Sequence, residues 1–347
     1  MDYKGLLKKL SESYGVSGHE RGIYDLLKKE FEPISDEVKE DNFGNLIFKK
    51  KGTKGKYKVM LAAHLDEIGL MVKDIDEKGF IKFTTVGGVD QRTFPSQEVI
   101  VHGKKDLLGV IGSKPPHLLS SEDMEKAIKI DDMYVDVGLQ KEEVEKLVSI
   151  GDIITVKREF KELLNENVSG KALDDRAGVV VMAVCLEELK KVYHYHDVYA
   201  VATLQEEVGV RGATTSSYNI EPDIAIAIDV THAKARGVSR DIEVGKGPAI
   251  GKGPNIHPAV YKGLVDIAKK YNINYQIEPL PGHSGTDAWA IQVSKKGVPT
   301  GLVSIPLKYM HTSVETANMK DIIESGRLLA HYIANLPPEE LEGHLCY

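Results

Sequence analysis

Sulfur is scarce in this chain: among its 347 residues the only cysteines are Cys185 and Cys346. That supply builds neither a disulfide framework nor a thiolate metal site, and it fits a reducing, cytoplasmic location. Cys185 lies in the apolar stretch from Val179 to Leu186 and reads as a small core residue. Long hydrophobic runs are also missing. None approaches the roughly 20 apolar residues that cross a bilayer, so no membrane partner is expected. The opening Met1-Asp-Tyr-Lys-Gly-Leu-Leu-Lys-Lys lacks the apolar core of a secretory leader. Positive charge is in deficit, with 45 Lys+Arg against 52 Asp+Glu and a formal net charge of -7. A nucleic-acid partner, which would want a basic face, is therefore not expected.

What is there is a globular composition, 42% hydrophobic and 28% charged, on a length that suits two domains. Apolar residues at helical spacing mark 2–12 and 21–32, and Ser17-Gly18-His19-Glu20 between them reads as a capping turn. Asn45-Leu-Ile-Phe-Lys predicts a strand. Val59-Met-Leu-Ala-Ala63 suits a strand buried on both faces, and it ends in His64-Leu65-Asp66-Glu67. From about Val72 to Glu159 short β-prone runs take over, at 81–85, 98–102, 108–111, 133–137 and 152–156. Glycines punctuate them, and brief helical stretches fall at 121–128 and 141–147. This pattern predicts a small β-rich barrel or sandwich inserted into an α/β domain. After Asn167, strands at 198–204, 223–229, near 275–279 and at 299–304 alternate with helices at 175–190, 211–219, 257–271, 285–294 and 317–335. The α/β alternation predicts a sheet covered by helices on both faces. The expected division is a discontinuous α/β domain, 1–71 with 164–347, and an insert over 72–163.

Open α/β sheets place their chemistry beyond the C-terminal ends of strands. The apolar run from Val198 to Leu204 ends in adjacent acids, Glu206 and Glu207, and His64, Asp174-Asp175, Asp229 and His311 follow apolar runs or sharp turns in the same way. Each has a plainer explanation taken singly. Acids at 206 and 207 suit a helix N-terminal dipole, and Asp174-Asp175 could cap the helix that follows. His64 could sit on the surface, and His311 in the core. Asp66 is placed to support His64, since a ligating imidazole usually gives its other N–H to a carboxylate. An uncompensated Asp229 at the end of Ile224-Ala-Ile-Ala-Ile would be costly. Taken jointly, imidazole and carboxylate without sulfur form a donor set for Zn²⁺, Co²⁺ or Mn²⁺. The set suffices for a binuclear site if one glutamate stays off the metal as general base.

Other candidates are weaker. His194-Tyr-His196 has metal-like spacing but lies in a polar loop, where solvent exposure is expected. The Gly-Lys-Gly-Pro repeats at 245–248 and 251–254 lack the rest of a phosphate loop. Ser96, Ser239 and Ser284 sit in no nucleophile elbow. Gly282-His283-Ser284-Gly285-Thr286-Asp287 is a tight turn opening a helix. It reads either as an N-cap by Thr286 or Ser284, or as part of a substrate-pocket wall.

As an ordered set, several strings resemble the M42 family of metallo-aminopeptidases, the tetrahedral or TET-type group. They are Ala-Ala-His64-Leu-Asp66-Glu-Ile-Gly, Lys-Ala-Leu-Asp174-Asp175-Arg-Ala-Gly and Gln-Glu206-Glu207-Val-Gly-Val-Arg-Gly-Ala. Ala-Ile-Asp229-Val-Thr, Gly-Thr286-Asp287-Ala-Trp-Ala-Ile and Ile-Pro-Leu-Lys-Tyr-Met-His311-Thr complete the series. The resemblance implies an α/β/α sandwich catalytic domain with an inserted PDZ-like β-barrel domain that serves dimerisation. It implies two divalent ions per subunit, Zn²⁺ or Co²⁺ with Mn²⁺ acceptable. His64, Asp174 and Asp229 would hold one ion, and Asp174, Glu207 and His311 the other, with Asp174 bridging. Glu206 would be the general base toward a metal-activated water, and Asp66 would orient His64. Asp175 would follow the bridge across a cis peptide, as in relatives of this fold. His283, Gly285, Thr286 and Asp287 are expected to bind substrate. The substrates would be short peptides with a free N-terminus, and the assembly a homo-oligomer, a hollow dodecamer built from dimers.

Other readings of the same residues are a carboxypeptidase or deacylase on this scaffold, which would want a basic group for a substrate carboxylate. A glycoside hydrolase would use Glu206 with a second acid and need no metal. A non-catalytic assembly protein is the remaining alternative.

Overall fold

The computed structural model describes residues 1–54, 56–238, 241–282 and 284–336. An eight-stranded sheet forms the centre. In spatial order its strands are Glu37–Glu40, Leu46–Lys50, Asp197–Thr203, Lys58–His64, Ile224–His232, Thr300–Leu307, Ala249–Lys252 and Gln276–Pro279. The four from Asp197–Thr203 to Thr300–Leu307 are mutually parallel, and antiparallel pairings flank them on both sides.

Side chains alternate across a strand, so a strand covered on both faces must be apolar throughout. Lys58–His64 meets this: Val59, Leu61 and Ala63 enter one core layer, Met60 and Ala62 the other. The first layer lies under the helices Tyr3–Glu12, Leu173–Leu189, Pro258–Lys270 and Met319–Ala334. The second lies under Arg211–Ile220 and Asp287–Gln292. The helix Leu173–Leu189 is buried almost all round, because it is packed between the sheet and Met319–Ala334.

Between the strand ending at His64 and the helix starting at Leu173 the chain builds a closed antiparallel barrel. Around its wall run Gly69–Ile75, Ile81–Val86, Met133–Asp136, Asp106–Ser113, Glu98–His102 and Ile153–Val156. The barrel has its own core of residues such as Val72, Phe83, Val101, Ile111 and Ile154. A small third sheet joins Lys161–Glu162, Asn167–Gly170 and Glu315–Asn318, and its Gly170–Glu315 pairing bears on the site.

Three local expectations are corrected. The strand carrying Asp229 does not stop there, because pairing with Thr300–Leu307 continues to His232 opposite Leu307. His194 and His196 are buried, not exposed. Their loop is closed by Thr53 N–H and Lys54 N–H donating to the carbonyls of His194 and Tyr195, and Tyr57 packs edge-on to the His196 ring. The turn at Ser17–Glu20 makes no side-chain cap to the short 3-10 helix Glu20–Ile23 that it precedes. Its hydroxyl and carboxylate point instead at the loops described next.

Candidate active site

The register of the parallel strands collects the chemistry at one edge. Thr203 lies opposite His64. Ala227 lies opposite Ala62, so Asp229 is level with His64, two residues further along each strand. Asp174 enters from the first turn of Leu173–Leu189, where the peptide to Asp175 is cis and both residues leave helical geometry. Asp175 folds its carboxylate back to accept from Gly178 N–H at 3.1 Å. Only glycine fits there, since a Cβ would stand 2.3 Å from Asp175 Oδ2.

The two carboxylate oxygens of Asp174 face different imidazoles. Oδ1 is 3.0 Å from His64 Nε2, and Oδ2 is 3.2 Å from His311 Nε2. Glu207 Oε1 is 3.4 Å from the same His311 nitrogen. His64, Asp174 and Glu207 can each offer a ligand atom within 4.8 Å of the others. Asp229, Glu206 and the three residues just named line one cavity of about 480 Å³ with His311, and Gly285 and Thr286 form part of its opposite wall. Thr286 is also the N-cap of Asp287–Gln292, accepting from Ala288 N–H. Asp287 does not line the cavity. It is buried behind it, where Oδ2 accepts from Thr203 Oγ1 at 2.6 Å. His283 lies outside the described residues.

A layer of buried groups, of which the sequence flagged Asp66, holds these side chains. His64 Nδ1 donates to the main-chain carbonyl of Asp66 at 3.1 Å, with the Asp66 carboxylate 3.6 Å away. That carboxylate accepts from Glu206 N–H at 3.0 Å, Glu207 N–H at 3.2 Å and Ser17 Oγ at 2.6 Å. Glu20 accepts from Gln205 N–H at 3.2 Å and from Gly18 N–H at 2.9 Å. Glu315 accepts from Asp174 N–H at 3.1 Å and His311 N–H at 2.8 Å. His311 Nδ1 lies 2.7 Å from the carbonyl oxygen of Gly88. Beneath them Glu67 takes Lys171 at 2.7 Å, Arg176 at 3.1 Å and Gly15 N–H at 3.0 Å. Arg176 also donates to the carbonyls of Leu10 and Ser13, both at 2.6 Å. Short-range pattern carries no mark of Glu20, Glu67 or Glu315. Glu20 and Glu67 look like ordinary helix-start and loop acids, and Glu315 like a surface acid after a turn.

The electrostatics follow from crowding acids in a buried space. Burial opposes ionisation of Asp174, but its hydrogen bonds to His311 and His64 hold it well below the usual carboxylate range. The Asp174 hydrogen bond pushes His311 up to about 9, against burial. Burial pushes Glu206 up to about 8, eased by His64 and reinforced by Asp287, Glu207 and Asp174. Burial and the Asp174 charge take Glu207 to about 7. Asp229 and Asp175 are raised well above the carboxylate range by burial, Asp229 also by the charges of Asp175 and Asp174, and Asp175 by that of Asp174. Carboxylates here outnumber imidazoles and raise one another's pKa, a distribution that divalent cations would neutralise. Oxygen and nitrogen donors without thiolate also fit Zn²⁺, Co²⁺ or Mn²⁺. The residues present fit a metal site.

Comparison with known proteins agrees with this geometry. A family model described as M42 glutamyl aminopeptidase matches residues 44–328. The lysyl aminopeptidase of Pyrococcus furiosus is 40% identical over 340 residues, covering 96% of this chain and 97% of that protein. An aminopeptidase structure from the archaeon Desulfurococcus kamchatkensis superposes with a TM-score of 0.92 at 40% identity, over 99% of this chain and 98% of that one. The TET1 peptidase of Pyrococcus horikoshii does so with 0.86 at 33% identity, over 96% and 100%. Motifs, fold and relatives coincide over nearly the whole chain, which belongs to the M42 family of aminopeptidases.

Proposed function

We propose that this chain is a metal-dependent aminopeptidase that removes N-terminal residues from short peptides. The observation that carries the reading is Asp174, whose two oxygens each face a different histidine. His64, Asp174 and Asp229 would hold one divalent ion, and Asp174, Glu207 and His311 a second, Zn²⁺ or Co²⁺ with Mn²⁺ also suited. Two such ions supply Lewis acidity, polarising the scissile carbonyl and acidifying water beside it.

The chain's own groups do the rest. Glu206 is half-buried at the cavity wall and not required as a ligand, so its carboxylate is free to take a proton from the attacking water and return it to the leaving amine. Its main chain is pinned by Asp66, and the preceding Gln205 by Glu20, which fixes where that carboxylate stands. The ring of His64 is set by the Asp66 carbonyl, which turns Nε2 toward Asp174. The acidic cavity suits a substrate's ammonium terminus, and the wall at Gly285 and Thr286 would face the N-terminal side chain. Ser284 of the same turn would extend that wall. Among the described residues lining the cavity there is no lysine or arginine to anchor a substrate carboxylate, which favours an aminopeptidase over a carboxypeptidase.

We further propose that the segment 72–163 is a dimerisation domain and that dimers build a homo-oligomer, a dodecamer. The TET1 peptidase of Pyrococcus horikoshii, which can assemble into a tetrahedron or a large octahedral shell, supports this. The test of the activity is a panel of aminoacyl chromogenic substrates against the metal-free chain reloaded with Zn²⁺, Co²⁺ or Mn²⁺. Glu206→Gln should retain both ions and lose about 10²–10⁴ in turnover. Undiminished turnover would remove Glu206 as the base.

A further inference from the structure

His311 has its ring held from across the domain boundary. The acceptor of its Nδ1 is the carbonyl of Gly88, in the loop that leaves barrel strand Ile81–Val86. A carbonyl oxygen can only accept, so the 2.7 Å contact requires a proton on Nδ1 and makes Nε2, which faces Asp174 and Glu207, the ring nitrogen available to a metal ion. The backbone of His311 sits at φ +61, left-handed and uncommon for a residue with a side chain, with its N–H fixed by Glu315. The ligand is thus held at its main chain from one sheet and at its ring from the barrel.

A pair of glycines permits the approach. A Cβ on Gly88 would stand 3.3 Å from His311 Nδ1 and 3.5 Å from Cε1. At Gly87, φ +79, a Cβ would meet Ile68 Cγ2 at 2.8 Å and Glu207 Cβ at 3.4 Å. The loop therefore lies backbone-first against His311 and Glu207, the residues assigned to the second ion alone. Further along it, Val89, Thr93 and Phe94 wall a void of about 40 Å³ shared with those two side chains.

We infer that the Gly87–Gly88 turn of the barrel is a positioning element for the second metal half-site, so that the inserted domain sets the affinity of one ion and not the other. The inference rests on the metallo-aminopeptidase reading above. Gly88 has no left-handed φ, so Gly88→Ala asks only that His311 give way by a few tenths of an ångström. Metal-free full chain, wild type and Gly88→Ala, would be titrated with Co²⁺ alone by calorimetry. The expected result is a first ion bound within about two-fold of wild type and a second weakened roughly 10–100-fold, the usual cost of losing a ligand's supporting partner. Melting of the metal-free variant should match wild type. As a check independent of any variant, amide exchange over 87–94 in the wild type should slow with the second equivalent of Co²⁺ and not the first. Wild-type affinity for both ions in Gly88→Ala, or exchange at 87–94 that ignores the second equivalent, overturns the inference. A wild type that binds no Co²⁺ at all overturns the metal reading instead.

Discussion

At the scale of single residues, Asp174 faces both His64 and His311. Replacing it with Ala removes the shared oxygen pair while leaving His64 and His311 in place. Metal content measured after dialysis and peptide turnover should therefore fall together; a metal-replete, active Asp174→Ala would remove the bridge. Glu67 makes a different kind of demand. It is the counter-charge for buried Lys171 and Arg176. Burial, with Arg176 adding, pushes Lys171 down to about 8, while Lys171 and Arg176 together hold the Glu67 carboxylate below its usual range against burial. Breaking a buried pair by removing one partner costs about 3–5 kcal/mol. Glu67→Gln should cost on that order in urea unfolding of the metal-free chain, and a loss under about 1 kcal/mol would mean the cluster tolerates an uncompensated charge.

At the scale of elements, the start of the helix Met319–Ala334 gives a pH-dependent test. Asp321, in the first turn of Met319–Ala334, accepts from Gly245 N–H at 2.6 Å and Gly247 N–H at 2.7 Å. Burial still raises it from 3.8 to about 6. A carboxyl raised on folding contributes stability below its unfolded pKa and loses it as pH climbs through the folded value. The stability of wild type relative to Asp321→Asn should therefore fall between pH 4 and 6 and level off above, as followed by urea melts at each pH. A flat difference would mean Asp321 is not perturbed.

Elements are also where the sequence was most and least legible. Lys58–His64 and Leu173–Leu189 stand out as apolar runs because their surroundings are apolar on every side. The acids that end such runs are visible because burial makes them conspicuous. Glu315 and Gly88 are not, since Glu315 reaches the main chain of the remote Asp174 as well as that of His311, and Gly88 reaches the His311 ring from across a domain boundary. The edge strand Glu37–Glu40 and the short strand Ala249–Lys252 were missed for a related reason: their pairing is decided by neighbours, not by local pattern. His194 and His196 show the converse, polar residues buried because a distant turn at Gly52–Lys54 closes over them.

At the scale of the whole molecule, the barrel has an outward apolar face. On Asp106–Ser113, Leu108 and Val110 are 55% and 49% exposed on a strand whose other face fills the barrel core. Their place side by side on one face makes them the natural candidates for the dimer contact proposed above. The double substitution Leu108→Lys with Val110→Lys should lower the mass measured by light scattering without lowering the melting temperature of the barrel. An unchanged mass would place the assembly contact elsewhere. The insertion of that barrel between His64 and Asp174 has one more consequence, which concerns time. During synthesis His64 emerges first, the entire barrel follows, and His311 and Glu315 come near the end. A chain shorter than 311 residues therefore lacks part of the proposed ligand set, so the site can form only after the barrel and the central strands have been made.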